Sequence, residues 1–131
     1  MTDARQIVIL SAARTPIGTF GGAFAAVPPI ELATIATRAA LERAGVAPDR
    51  IGHVVFGHVV NTEPKDMYLS RVAALNGGCA ESTPAFNVNR LCGSGLQAII
   101  SASQSILLGD ADVAIGGGAE NMSRVPYAVN T

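Results

Sequence analysis

The sequence predicts an α/β fold, a layered sheet flanked by helices. Short β-branched runs alternate with longer stretches whose apolar residues recur at three and four, and glycines or prolines mark the junctions. The resulting order, β-α-β-α-β-α-β with elements close together, is the pattern of layered α/β domains. No internal repeat or low-complexity tract interrupts it.

Gln6-Ile7-Val8-Ile9-Leu10-Ser11-Ala12 is continuously apolar and β-branched, as expected of a strand buried on both faces. Residues 14–22, Arg-Thr-Pro-Ile-Gly-Thr-Phe-Gly-Gly, have loop chemistry. Pro28-Pro29 sets up a helix over about Ile30–Ala44, with Leu32, Ile35, Ala36, Ala39, Ala40 and Arg43 recurring along it. Gly45 is placed to cap that helix, with Pro48 beyond it. Ile51–Gly57 reads as a second strand, Asn61–Lys65 as a break and Met67–Leu75 as a short helix ended by Asn76-Gly77-Gly78. Pro84–Val88 is the third strand. A third helix follows over about Gly93–Leu108, its buried face expected at Leu96, Ile99, Ile100, Ser103, Ile106 and Leu107. Asp112–Gly116 is the fourth strand, leading to Gly117-Gly118 and a polar loop. The ending, Val125–Thr131, is coil-like and reads as an interruption more than a domain boundary.

A chain of 131 residues is one domain or part of one and can bury a core without staples. Charged residues make up 15%, against roughly 25% in ordinary globular domains, and the mean hydropathy is +0.36. No run approaches the ~18 uninterrupted apolar residues of a membrane span, so no membrane partner is expected. A surface this poor in charge implies burial against a partner subunit or further polypeptide. Nine basic and ten acidic residues leave no footprint for nucleic acid. Met1–Gln6 has neither a signal-peptide nor a transit-peptide plan. Two cysteines, Cys79 and Cys92, are too few for a disulfide scaffold; a reducing cytosol is the simplest compartment, and a cytoplasmic location is expected.

The most informative residue is Cys92. It follows the β-prone Ala85–Val88, precedes Gly93-Ser94-Gly95, and stands at or near a helix start, where backbone N–H groups and the helix dipole favour an anion such as a thiolate. The flanking glycines let backbone approach a substrate closely. Cys92 is the candidate nucleophile; the competing reading is a small buried hydrophobe.

Three segments carry a family resemblance: Arg14-Thr15-Pro16-Ile17-Gly18, then residues 89–98, Asn-Arg-Leu-Cys-Gly-Ser-Gly-Leu-Gln-Ala, then residues 116–123, Gly-Gly-Gly-Ala-Glu-Asn-Met-Ser. In this order they resemble the amino-terminal third of thiolases, the acetyl-CoA acyltransferases or β-ketothiolases. Asn61–Arg71 resembles the bacterial β-ketothiolases of polyester biosynthesis that accept longer acyl groups. The resemblance implies the first part of the amino-terminal half of a thiolase-like layered fold, with a mixed sheet flanked by helices. Residues 1–131 would be an incomplete amino-terminal domain, lacking the loop domain and the carboxy-terminal domain. It also implies ping-pong acyl transfer through a thioester on Cys92, whose backbone N–H would donate to the oxyanion. Acyl-CoA and CoA would be substrates, with no resident cofactor. The remaining thiolase polypeptide, which in the family supplies two histidines and a second cysteine, would be a partner, as would further copies in a homodimer or homotetramer. The isolated chain is expected to be inactive. Other condensing enzymes of the ketoacyl-synthase type, and a non-catalytic interaction half-fold, are the alternatives.

Other features have plainer readings. His53 and His58 lack zinc-motif spacing; one is expected in packing, the other at a surface or interface. Cys79 is expected to be incidental. Gly116-Gly117-Gly118, Gly18 and Gly21-Gly22 lack the spacing of a phosphate cradle, and the triplet suggests close backbone packing. Ser94 lacks the frame of a hydrolase nucleophile elbow. Glu120 and Asn121 are expected to order a loop near the nucleophile or a dimer contact, and Arg124 to make a surface salt bridge in preference to meeting a CoA phosphate.

Overall fold

The computed structural model describes residues 6–131, so the sequence reading of Met1–Arg5 lies outside the described residues. Three helices enclose a three-stranded sheet: α1 (Pro29–Ala44), β1 (His53–Gly57), α2 (Leu69–Asn76), β2 (Ala85–Val88), α3 (Ser94–Leu108) and β3 (Ala114–Gly118). Short 3-10 turns occupy Pro48–Arg50, Pro64–Tyr68 and Met122–Arg124.

The strand order is β2-β1-β3, and both pairings are parallel where a mixed sheet was expected. Parallel neighbours need crossovers, which α2 and α3 supply. The step from β1 to β2 runs one way across the sheet and the step from β2 to β3 runs back, so crossovers of one hand require helices on opposite faces. The packing shows this division. Val54 and Phe56 of β1 pack with Ile30, Ala33 and Leu41 of α1 and Leu69, Ala73 and Ala74 of α2. Val55, pointing the other way, packs with Ala98 and Ala102 of α3. Fully burying a side chain such as Leu69 contributes roughly 1.5–3 kcal/mol.

Several expectations are corrected. Residues 6–12 form no strand; Val8, Ile9 and Leu10 are exposed. A strand needs a hydrogen-bonded neighbour, and none of the described strands pairs with this segment. It lies along α1, where Ser11 Oγ donates to Ala40 O at 2.7 Å and Arg43 Nη1 donates to Ala12 O at 2.8 Å. Helix α1 spans the expected residues and ends at Gly45, whose φ of 63° is the left-handed cap. Its buried stripe, however, is Pro29, Ile30, Ala33, Thr34, Thr37 and Leu41, and Ile35 is exposed. Met67 and Tyr68 belong to the 3-10 turn that precedes α2. Strand β3 runs two residues further than expected and contains the glycine triplet.

Helix α3 is turned over relative to expectation. Ser94, Ala98, Ala102 and Ser105 face inward, while Leu96, Ile99, Ile100 and Leu107 are exposed. The cause is backbone proximity. A Cβ on Gly116 would lie 2.7 Å from Ile99 Cα, and one on Gly57 would lie 2.5 Å from the Ser94 carbonyl carbon. Only small residues fit a helix lying this close to a sheet. The exterior of α3 is largely apolar and uncharged, and residues 91–108 are long and apolar enough, by length and composition alone, to cross a membrane. Four serines, two glutamines and two glycines interrupt that stretch, so it is not an uninterrupted apolar run.

Candidate active site

Parallel α/β sheets present their functional groups beyond the carboxyl ends of the strands, where the loops converge. Here that edge is formed by residues 58–60 after β1, 89–93 after β2 and 119–121 after β3. Main-chain bonds join the three exits: His58 N–H donates to Val88 O and Ala119 N–H to Gly57 O, each at 3.1 Å.

Cys92 is free and exposed on the turn between β2 and α3, which overturns the buried-hydrophobe alternative. Leu91, before it, has φ 52°, the one non-glycine residue in the left-handed region among those described. That conformation costs about 1–2 kcal/mol for an L residue, and such outliers gather at functional sites. Ser94 holds the strained turn. Its buried hydroxyl accepts from Arg90 N–H at 2.8 Å and donates to Leu91 O at 2.6 Å. Gly93 N–H and Ser94 N–H close on Arg90 O and Leu91 O, both at 3.1 Å. Asn89 Oδ1 accepts from Leu91 N–H at 3.0 Å, and Arg90 reaches along the first turn of α3 to Gln97. The thiol thus stands two residues before Ser94, the first residue of a 15-residue helix.

His58 is buried, while His53 is half-buried and sets its ring edge-on to Phe86 at 5.5 Å. His58 directs Nδ1 at Ala119 O, 2.7 Å away, and not at the thiol. Among the described residues no cluster of His, Cys, Asp and Glu has a metal-binding arrangement. Glu120 accepts from Val59 N–H at 2.5 Å and Val60 N–H at 3.4 Å, which orders the β1 exit loop. Asn121 donates to Phe24 O at 2.8 Å and Val27 O at 2.7 Å, tying the third motif to the loop before α1. Arg124 forms its salt bridge, to Glu63 at 3.3 Å, and donates to Ala26 O. Residues 14–18 and 118–123 line a common cleft of about 480 Å³ that does not include Cys92. Cys79 is a core residue in the α1–α2 layer, and burial pushes its thiol pKa up.

Sequence reasoning missed the polar girder beneath this edge. Asp66, fully buried, accepts through Oδ2 from Thr62 N–H, Thr62 Oγ1–H and Glu63 N–H at 2.6–3.1 Å. Asn87, in β2, donates to Asp66 O and accepts from the Ser70 hydroxyl at 2.7 Å. Glu63-Pro64-Lys65-Asp66 forms a reciprocal capping box, and that spacing was the available signal.

A family model described as "Thiolase, N-terminal domain" matches residues 7–131. The β-ketothiolase BktB of Cupriavidus necator is 64% identical over 94% of this chain, and the mitochondrial 3-ketoacyl-CoA thiolase of Bos taurus is 42% identical over 98%. The chain spans 31% and 32% of their respective lengths. Among solved structures, human mitochondrial 3-ketoacyl-CoA thiolase in complex with CoA superposes with a TM-score of 0.91 at 38% identity, covering 93% of this chain and 31% of that one. Bacillus anthracis acetyl-CoA acetyltransferase gives 0.88 at 41%, covering 94% and 31%. This decides between the thiolase and ketoacyl-synthase readings of the Cys92 segment. With the thiolase amino-terminal model matched over residues 7–131 and the fold shared, the chain belongs to the thiolase family.

Proposed function

We propose that this chain carries the nucleophile of a thiolase and that Cys92 holds the acyl group as a thioester. The observation that carries the reading is the exposed Cys92 thiol on a strained, Ser94-braced turn at the carboxyl edge of the sheet. In the cleaving direction the Cys92 thiolate attacks the keto carbon of a 3-oxoacyl-CoA. The carbon–carbon bond breaks, the acetyl-CoA carbanion takes up a proton and leaves, and CoA thiolate then displaces the acyl group from Cys92. In the synthetic direction the acyl-enzyme accepts the enolate of acetyl-CoA. The Cys92 backbone N–H donates to the oxyanion of the thioester-forming steps.

The substrates are acyl-CoA and CoA, and no resident cofactor is part of the reaction. The similarity to a structure described as a CoA complex supports this choice. The 64% identity to a β-ketothiolase supports 3-oxoacyl-CoA chemistry, which on this reading serves polyhydroxyalkanoate synthesis or fatty acid metabolism. Acid–base groups for the enolate come from further thiolase polypeptide, in a cytoplasmic homodimer or homotetramer. The apolar exterior of α3 supports burial in such an assembly. Neither nucleic acid nor membrane is a partner in this reading.

Mass spectrometry tests it. Acetyl-CoA added to the intact polypeptide, with the remaining thiolase sequence present, should place one acetyl group on the Cys92 peptide, and Cys92→Ser should abolish the label. Absence of an acyl-enzyme in that complete system would refute the catalytic assignment and leave a non-catalytic half-fold.

A further inference from the structure

We infer that His58 is a positioning residue for the acylation of Cys92, acting by clamping the exit of β3 to the exit of β1 beneath the nucleophile's turn. The inference rests on the acyl-transfer reading above. His58 follows Gly57, the last residue of β1, and holds both neighbouring strands. Its N–H donates to Val88 O, four residues before Cys92. Its ring Nδ1 lies 2.7 Å from Ala119 O, the first residue after β3.

A carbonyl oxygen only accepts, so Nδ1 carries the ring proton and donates it there. Two carboxylates face the ring. Glu120 Oε2 is 3.7 Å from Nδ1 and Asp66 Oδ2 is 3.8 Å from Nε2, both beyond hydrogen-bond range. Nε2 is buried and makes no hydrogen bond among the described residues. The single directed bond of this buried ring is therefore the one to Ala119.

That bond is coupled to the nucleophile through bare backbone. A Cβ on Gly57 would touch Ser94 and Gly95 at 2.5 and 2.6 Å, and one on Gly118 would lie 3.2 Å from Gly95 Cα. The residues on either side of the clamp thus form the surface on which the first turn of α3 sits, two residues after Cys92. No compliant side chain lies between them, so spreading β1 from β3 moves that turn.

Covalent geometry supplies the test. Asparagine carries its amide nitrogen on Cγ, as histidine carries Nδ1, whereas glutamine puts its amide one bond further out, near the position of Nε2. In the intact enzyme, acyl-Cys92 formation from acyl-CoA is followed in a single turnover for His58→Asn, His58→Gln and His58→Leu, with KM measured alongside. His58→Gln and His58→Leu should slow acylation by about 10–100-fold, the scale of a sub-ångström to 1 Å misplacement, with KM changed less than about twofold. His58→Asn should return to within about threefold of the parent. Equal rates for the Asn and Gln variants would overturn the inference even if the Leu variant does not fold, as would an Asn variant no faster than Leu. If the parent itself forms no acyl-Cys92, the acyl-transfer reading falls alone. Hydrogen–deuterium exchange of residues 89–96 then reads the clamp directly, expected to be faster in Gln than in Asn and sinking the clamp if identical.

Discussion

Replacing Gly57 with alanine puts the sheet-to-helix spacing under direct strain. The new Cβ would sit 2.5 Å from Ser94 C, 2.6 Å from Gly95 N and 2.7 Å from Ser94 O. Ordinary carbon contacts are about 3.5 Å, so a gap of roughly 1 Å must open. All three neighbours are main-chain atoms, and no side-chain rotation relieves them. Strand β1 is held by parallel ladders on both sides, so the start of α3 moves instead. Overpacking of this kind costs about 1–3 kcal/mol. A 1 Å displacement of a catalytic group is worth about 100-fold in rate, or roughly 2.7 kcal/mol of barrier. The assay pairs thermal melting of the intact protein with quenched-flow detection of acyl-Cys92. Gly95→Ala serves as a stability control, because a Cβ there meets nothing within 4 Å. Within helix α3 that change should be neutral or stabilising by up to about 1 kcal/mol. A Gly57→Ala variant that melts and acylates like the parent would refute the idea that bare backbone contact sets the place of Cys92.

Burial raises the Cys79 pKa, so the folded state keeps its proton to higher pH than the unfolded chain. That contribution is fully present below the unfolded thiol pKa and is lost as pH rises through the folded value. Cys79→Ala should flatten the alkaline decline of stability in denaturant titrations, and native alkylation should mark Cys92 while sparing Cys79. Asn121→Asp should destabilise more than Asn121→Ala in thermal melts, because a carboxylate would face the carbonyls of Phe24 and Val27 that now receive its amide protons; the alanine loss should be about 1–3 kcal/mol. Ser94→Ala removes both clasps on the 90–91 turn and should destabilise by about 1–2 kcal/mol, read by chemical denaturation, with faster amide exchange at Leu91–Gly93.

The elements that announce themselves by capping and period were legible in the sequence. Gly45 and Gly109 end α1 and α3 in left-handed caps, and Pro29 opens α1. Which faces were buried was not legible. Leu96, Ile99 and Ile100 mark one side of α3 by hydrophobicity, yet the inward side is the one small enough to meet Gly57 and Gly116. Hydrophobic periodicity reports which side avoids water in the whole protein, and steric fit reports which side meets this sheet. The run at residues 6–12 failed for a related reason, since strand chemistry specifies a ladder without naming the neighbour that completes it. At the candidate site, Cys92 was visible from its position before a helix. Asn87 was not, because its hydrogen bonds join segments 17 to 21 residues apart. Nor were Ser94 and Asp66, which act through bonds to residues three and four positions away, a local pattern that many turns share.

Leu91 has a consequence for the entropy of the turn that carries Cys92. Glycine would occupy φ 52° without strain, but it would populate the mirror conformations equally well and leave Cys92 sampling several directions. Carrying a Cβ, Leu91 loses most of those alternatives. It accepts a conformation worth about 1–2 kcal/mol of steric penalty in return for a narrow distribution, with Ser94 supplying the bonds that keep the turn from relaxing. The Cys92 thiol then starts with its orientational freedom already removed when the chain folded, and in the proposed reaction the acyl group would inherit that direction.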